Sequence, residues 1–154
     1  MARERLNRGS PIPHLLLAGK EPSEKLLQYV ADNSDLPIYF VISPTTEELQ
    51  ALYSLAKVLL FPSLEEGFGW PVLEAMACGC PVVTTNKAPL TEVGGEAAIY
   101  IDPKNISEAA GNLNKVLDWS ENEVMQSVQK GFENLHRFSK TDFIDHYLVA
   151  YRFN

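Results

Sequence analysis

Cysteine is almost absent. Only Cys78 and Cys80 occur in 154 residues. That is too few for a disulfide framework, and it leads to the expectation of a reducing, cytoplasmic location. Positive charge is also short: 13 Lys and Arg stand against 20 Asp and Glu, a net charge of −7. The one basic cluster, Arg3, Arg5 and Arg8, is interrupted by Glu4. It reads as a solvated helix end, so no nucleic-acid partner is expected. No apolar run approaches the ~18 residues of a membrane span. The opening MARERLNRGS has no hydrophobic stretch, so neither a transmembrane segment nor a signal peptide is expected. Repeats and low-complexity tracts are missing too. His14, His136 and His146 are scattered, with no nucleophile–base spacing. The Cys-x-Cys pair supplies too few ligands for a zinc site, so no metal and no cofactor is expected.

What is present is the composition of an ordinary globular chain, 45% apolar and 21% charged. Its length suits one domain. The dominant pattern is a short apolar run, a turn, then a segment of helical period. HLLLAG (His14–Gly19) reads as a buried strand. Pro22 suits a helix N1 position, and Leu26, Leu27 and Val30 form a helical stripe that runs to Asn33. IYFVI (Ile38–Ile42) is a second strand, rich in β-branched and aromatic residues. Thr45 with Glu48 forms a capping box for a helix carrying Leu49, Leu52 and Leu55.

Three further strands are expected at Val58–Ser63, Pro81–Thr85 and Ala98–Asp102. A short helix at about Trp70–Ala77 has Pro71 in its first turn and Gly79 at its exit. Then come three helical stretches. The first carries Ile106, Ala109, Ala110, Leu113, Val116 and Leu117 on one face. The second opens on a Ser120/Glu123 capping box, and the last begins near Lys140. Strands alternating with helices imply right-handed crossovers and a parallel sheet. Continuously apolar strands imply that both faces are covered. In such a sheet the site lies beyond the carboxyl ends of the strands.

One strand end stands apart. At Ser63–Val83 a strand runs into Glu65 and Glu66, then Gly67-Phe68-Gly69, then a helix carrying Glu74. Glycines before a helix amino terminus let backbone amides approach an anion, and the helix dipole favours negative charge there. The same spacing also describes a plain strand-to-helix turn, and it matches neither the dinucleotide fingerprint nor the P-loop. Glu66 and Glu74 are eight positions apart and can share one rim of a cleft. Glu74 either accepts hydrogen bonds from neighbouring hydroxyls, such as a ribose diol, or complements the helix terminus.

The stretch EGFGWPVLEAMACGCPVV, Glu66–Val83, resembles the signature of the retaining glycosyltransferases of family 4, the group 1 glycosyltransferases. Similarity continues into ELQALYSLAKVLLFPS before it, NKAPLTEVGGEAAIYIDP after it, and RFSKTDFIDHYLVAYR at the end. The resemblance implies a Rossmann-like α/β domain with helices on both faces of a parallel sheet, the carboxyl-terminal half of a GT-B fold. It implies one nucleotide-sugar-binding domain over residues 1–154, with a final helix at 140–154. It also implies a donor that is a nucleotide-diphosphate sugar, and no metal requirement. By resemblance Glu66 lies near the donor sugar as the catalytic carboxylate, and Glu74 hydrogen-bonds the ribose. The amides of Gly67, Phe68 and Gly69 approach the sugar or diphosphate. Ser43 falls where backbone meets the base. Leu73 either packs near the nucleoside or is ordinary core.

The chain also departs from that pattern. The family's domain opens with a strand, a Gly-containing loop and a helix bearing an Arg and a Lys that neutralise the diphosphate. Here Met1 precedes HLLLAG by a few residues, and Arg3, Arg5 and Arg8 resemble only the tail of that helix. The implied strand order is 3-2-1-4-5-6, with the first, central strand lacking. The expectation is therefore a truncated donor-binding part of a hexosyltransferase, inactive alone, whose sugar or lipid-linked acceptor is received by a missing amino-terminal domain. The strands flanking the gap would pair directly, borrow a strand in a strand-exchanged homo-oligomer, or leave the chain poorly behaved. The alternative is a non-catalytic module that binds nucleotide or a partner. A sugar epimerase or phosphorylase on a similar fold is disfavoured by the length of the signature.

Overall fold

The computed structural model describes Arg5 and residues 9–138. The chain divides into two compact units, Met1–Ala51 and Leu52–Asn154. The final helix expected from Lys140 onward lies outside the described residues.

The first unit holds β1 (Leu15–Gly19), α1 (Glu24–Asp32) and β2 (Ile38–Ile42). β1 and β2 pair in parallel, with Leu15 opposite Ile38 and Gly19 opposite Ile42. Ser23 caps α1, its side chain accepting from the Leu26 amide. Pro22 thus stands one residue before the cap, not at the N1 position that the sequence alone favours. α2 (Thr46–Leu55) follows, opened by the expected box. The Thr45 amide donates to Glu48 Oε2 at 2.8 Å, and the Glu48 amide to Thr45 Oγ1 at 3.2 Å.

The expectation of buried strands fails for this unit. Leu16 is 46% exposed and Tyr39 51%, and no residue of α1 is buried. A two-stranded ladder has few neighbours to cover its faces.

The second unit contains the core. Its sheet is parallel, in the order β3 (Leu59–Phe61), β4 (Val82–Thr85), β5 (Ile99–Ile101). Helices α3 (Trp70–Ala77), α4 (Leu90–Gly94), α5 (Ile106–Leu117) and α6 (Glu121–Leu135) complete it, followed by a 3₁₀ turn at His136–Phe138. Within each unit the strand neighbours are those that the order 3-2-1-4-5-6 requires of strands 3-2 and 4-5-6.

Successive strand residues face opposite sides, and β4 uses both. Val82 joins a cluster with Val72, Leu73, Ala75 and Met76 of α3 and with Leu90 and Val93 of α4. Val83 joins one with Ile101 of β5 and Leu113, Val116 and Leu117 of α5. Helices therefore cover both faces of this sheet. Each of these Val, Leu, Ile and Met side chains contributes roughly 1.5–3 kcal/mol on burial. On α5, Leu113, Val116 and Leu117 are buried as expected, but Ile106 at the open first turn is 77% exposed. α6 opens on the expected Ser120/Glu123 box. The five-residue α4 is an element that the sequence reading omitted; it is too short to display a helical period.

β4 ends in two threonines, both wholly buried. Thr84 Oγ1 donates to the Phe61 carbonyl and Thr85 Oγ1 to the Ser63 carbonyl, each at 2.8 Å. The second bond reaches past the end of β3 and ties the root of the following loop to the sheet. Among the described residues no buried side-chain nitrogen or oxygen lacks a hydrogen-bond partner.

Two outcomes are expected. Thr85→Val keeps the shape but leaves the Ser63 carbonyl without that donor, so stability by urea unfolding should fall by about 1–3 kcal/mol; an unchanged midpoint would contradict this role. For the cysteines, Cys80 is 2% exposed and burial pushes its thiol up to about 11, whereas Cys78 at the α3 exit is partly open. The thiolate is the nucleophile, so iodoacetamide at pH 8 should label Cys78 well before Cys80 by peptide mass spectrometry. Labelling of Cys80 first in the folded chain would contradict the burial.

Candidate functional site

The loop between β3 and α3 is built from its root upward. The Thr85 hydroxyl holds the Ser63 carbonyl, and the Ser63 hydroxyl donates to the Glu65 carbonyl at 3.2 Å. The chain then passes Glu66, which is half-buried, and Gly67, where a Cβ would meet open space. Phe68 turns its ring inward. It packs against the α3–α4 core cluster, lies 4.8 Å from the Trp70 ring, and meets Phe138 edge-on at 6.0 Å. That anchor fixes the middle of the loop while its two glycines flank it.

Gly69 completes the turn into α3. Its φ of +104° is in the range that favours glycine, and a Cβ there would approach Leu90 Cδ2 to 2.5 Å. It occupies the N-cap of α3 with no side-chain hydrogen bond to the helix amides. Pro71, in the first turn, has no amide to satisfy. The amino end of α3 thus presents backbone dipole without a side-chain oxygen over it, at the carboxyl edge of a parallel sheet. Anions are stabilised at such a terminus.

Glu74 lies on α3 and is exposed. Tyr53, on the part of α2 that belongs to the second unit, donates from its hydroxyl to Glu74 Oε2 at 3.3 Å. Its ring packs on the α3–α4 core cluster. Burial, then the nearby Glu74 charge, pushes the Tyr53 hydroxyl up to about 12. It therefore stays protonated, and a donor, at any physiological pH.

Leu73, next to Glu74, is 6% exposed and belongs to the core. Ser43 belongs to the first unit. It follows β2 with φ +49°, a left-handed conformation uncommon for a residue other than glycine, and its amide donates to the Gly19 carbonyl at 2.6 Å.

The second unit therefore holds Glu66, Gly67, Phe68, Gly69, Leu73 and Glu74 on one loop and the helix it opens. Sequence reasoning missed Tyr53, Thr84 and Thr85. Tyr53 sits at helical spacing from Leu49, which gave it the look of an ordinary amphipathic-face residue. The threonines read as β-branched strand formers. Trp70, 64% exposed beside the glycine loop, carries no sequence signal beyond a helix start. Among the described residues, no three His, Cys, Asp or Glu side chains gather where a metal could be held. Likewise, no helix among them is long and apolar enough to cross a membrane.

The chain is 36% identical over 107 residues to the O-antigen chain mannosyltransferase B of Escherichia coli, covering 69% of this chain and 28% of that protein. Among solved structures, it superposes on the pneumococcal O-GlcNAc transferase GtfA, in complex with UDP and GlcNAc. The TM-score is 0.73 at 17% identity, covering 97% of this chain and 30% of that one. It superposes also on the C-terminal domain of the group 1 glycosyl transferase LpcC from Francisella tularensis. There the TM-score is 0.64 at 18% identity, covering 88% of this chain and 90% of that one. The fold is the Rossmann-like α/β arrangement of GT-B glycosyltransferases. The family model for glycosyl transferases group 1 matches residues 2–131, and the chain belongs to that family.

Proposed function

We propose that this chain is the donor-binding, carboxyl-terminal domain of a retaining family 4 glycosyltransferase, which moves a hexose from a nucleotide-diphosphate sugar to a sugar or lipid-linked acceptor. The observation that carries the reading is the segment Glu66–Glu74: a glycine loop with an anchored centre, an N-cap without a side-chain oxygen, and a carboxylate one turn further along the helix. Each part has a task in such a reaction. The α3 amino end meets the diphosphate, whose negative charge the helix dipole favours. Glu74 accepts from the ribose hydroxyls. Glu66, ahead of the helix, reaches past the diphosphate to the sugar, where positive charge develops as the bond to the leaving group breaks. Leu73 supports the nucleoside side from within the core.

The mannosyltransferase relative supports mannose as the first sugar to test. The Francisella structure, itself a C-terminal domain, supports the domain's position. The chain spans 28% of the length of the mannosyltransferase it matches. In this reading a separate amino-terminal domain receives the acceptor, and residues 1–154 bind donor without transferring it. A cytoplasmic site of action belongs to the same proposal.

Two measurements test the roles. Glu74→Ala should weaken nucleoside-diphosphate binding to the 154-residue chain by about 1–3 kcal/mol in calorimetric titration, the range for a hydrogen bond to a charged group. Unchanged affinity with an intact circular-dichroism spectrum would remove Glu74 from the site. In a full-length enzyme bearing this domain, Glu66→Gln should lower turnover more than nucleoside-diphosphate affinity. Equal losses in the two would contradict a role at the sugar.

A further inference from the structure

Glu74 is a flexible side chain on an exposed helix face. An unrestrained carboxylate there would lose rotamer freedom on meeting a ligand. Among the described residues the one hydrogen bond to its carboxylate comes from Tyr53, 21 positions earlier in the chain and on another helix. The Tyr53 ring is fixed because it packs on the buried cluster that α3 shares with α4. The hydroxyl is at the outer edge of that packing, where the donor meets one oxygen of the carboxylate and leaves the other open.

We propose that Tyr53 is the positioning residue of the nucleotide site: its hydroxyl holds Oε2 of Glu74, so that the carboxylate is already oriented to accept from the ribose diol. This rests on the reading of Glu74 as the ribose acceptor. A carboxylate carries two acceptor oxygens with room for several donors, so the tyrosine bond and the ribose bonds coexist. A single group thereby links the core of the second unit to the specificity for a ribonucleotide. Preorganisation of this kind raises affinity by reducing what must be ordered on binding.

The distinguishing readout is sugar selectivity. GDP and UDP, each beside its 2′,3′-dideoxy form, are titrated by calorimetry into the wild-type chain, Tyr53→Phe and Glu74→Ala. The wild type should prefer the ribonucleotide by tenfold or more, and Glu74→Ala should abolish the preference. Tyr53→Phe keeps the ring and removes only the donor. It should cut the preference about 3- to 10-fold, the net weight of a typical intramolecular hydrogen bond, while affinity for the dideoxy form stays within twofold of wild type. A full preference in Tyr53→Phe overturns the inference while leaving the ribose reading intact. Equal weakening toward both forms assigns Tyr53 to packing alone and also overturns it. A wild type without preference, or a Glu74→Ala variant that keeps it, removes the ribose reading and the inference together.

Discussion

Four consecutive residues of β4, Val82–Thr85, are buried, and the strand serves two cores and one loop at once. Its apolar half divides between the sheet's faces: Val82 toward α3 and α4, Val83 toward α5. Its polar half keeps its ladder places, Thr84 between Phe61 and Tyr100 and Thr85 beside Ile101, and adds hydroxyl bonds to the Phe61 and Ser63 carbonyls. A hydroxyl in that setting must be paired, since an unmet donor or acceptor in a dry interior is costly. The pairing direction then fixes where β3 stops and where the loop toward α3 begins. The glycine turn, the anchored Phe68 and the start of α3 all inherit their position from that constraint. The far end of the unit is tied in similarly. The buried Asn134 of α6 donates to the Val93 carbonyl of α4, and Arg137 donates to Asn134.

Much of this fold was legible because its signals are local. Capping boxes at Thr45/Glu48 and Ser120/Glu123 need only four residues, and both form. Strand positions follow from apolar runs bounded by turn residues, and all five strands lie within the expected segments. Burial was less legible, because it depends on what packs against a strand. HLLLAG and IYFVI are more apolar than PVVTT, yet PVVTT is buried throughout and neither of the first two holds a buried residue. The short α4 was invisible for a different reason: five residues cannot display a period.

The candidate site was legible as a segment rather than as a geometry. Glu66, Gly67, Phe68, Gly69 and Glu74 stand out because two glycines and two carboxylates around a helix start are an unusual local combination, and the longer signature matches the family to which the chain belongs. What could not be read was the support. Tyr53 meets Glu74 only once its ring packs on the cluster that α3 shares with α4, and Thr85 meets Ser63 only across a sheet. Such partners are separated by about 20 residues in sequence, and no spacing rule within a single element reaches that far.

The central claim is that the Glu66–Glu74 segment is where the nucleotide docks. The most direct measurement is a ¹H–¹⁵N NMR titration of the 154-residue chain with GDP and with UDP. The account predicts that the largest amide shifts fall on Gly67, Phe68, Gly69 and Trp70, with Glu74 next. It would be contradicted if those amides stayed still while the largest shifts fell elsewhere, for example around the hollow lined by Trp119, Glu123 and Lys130.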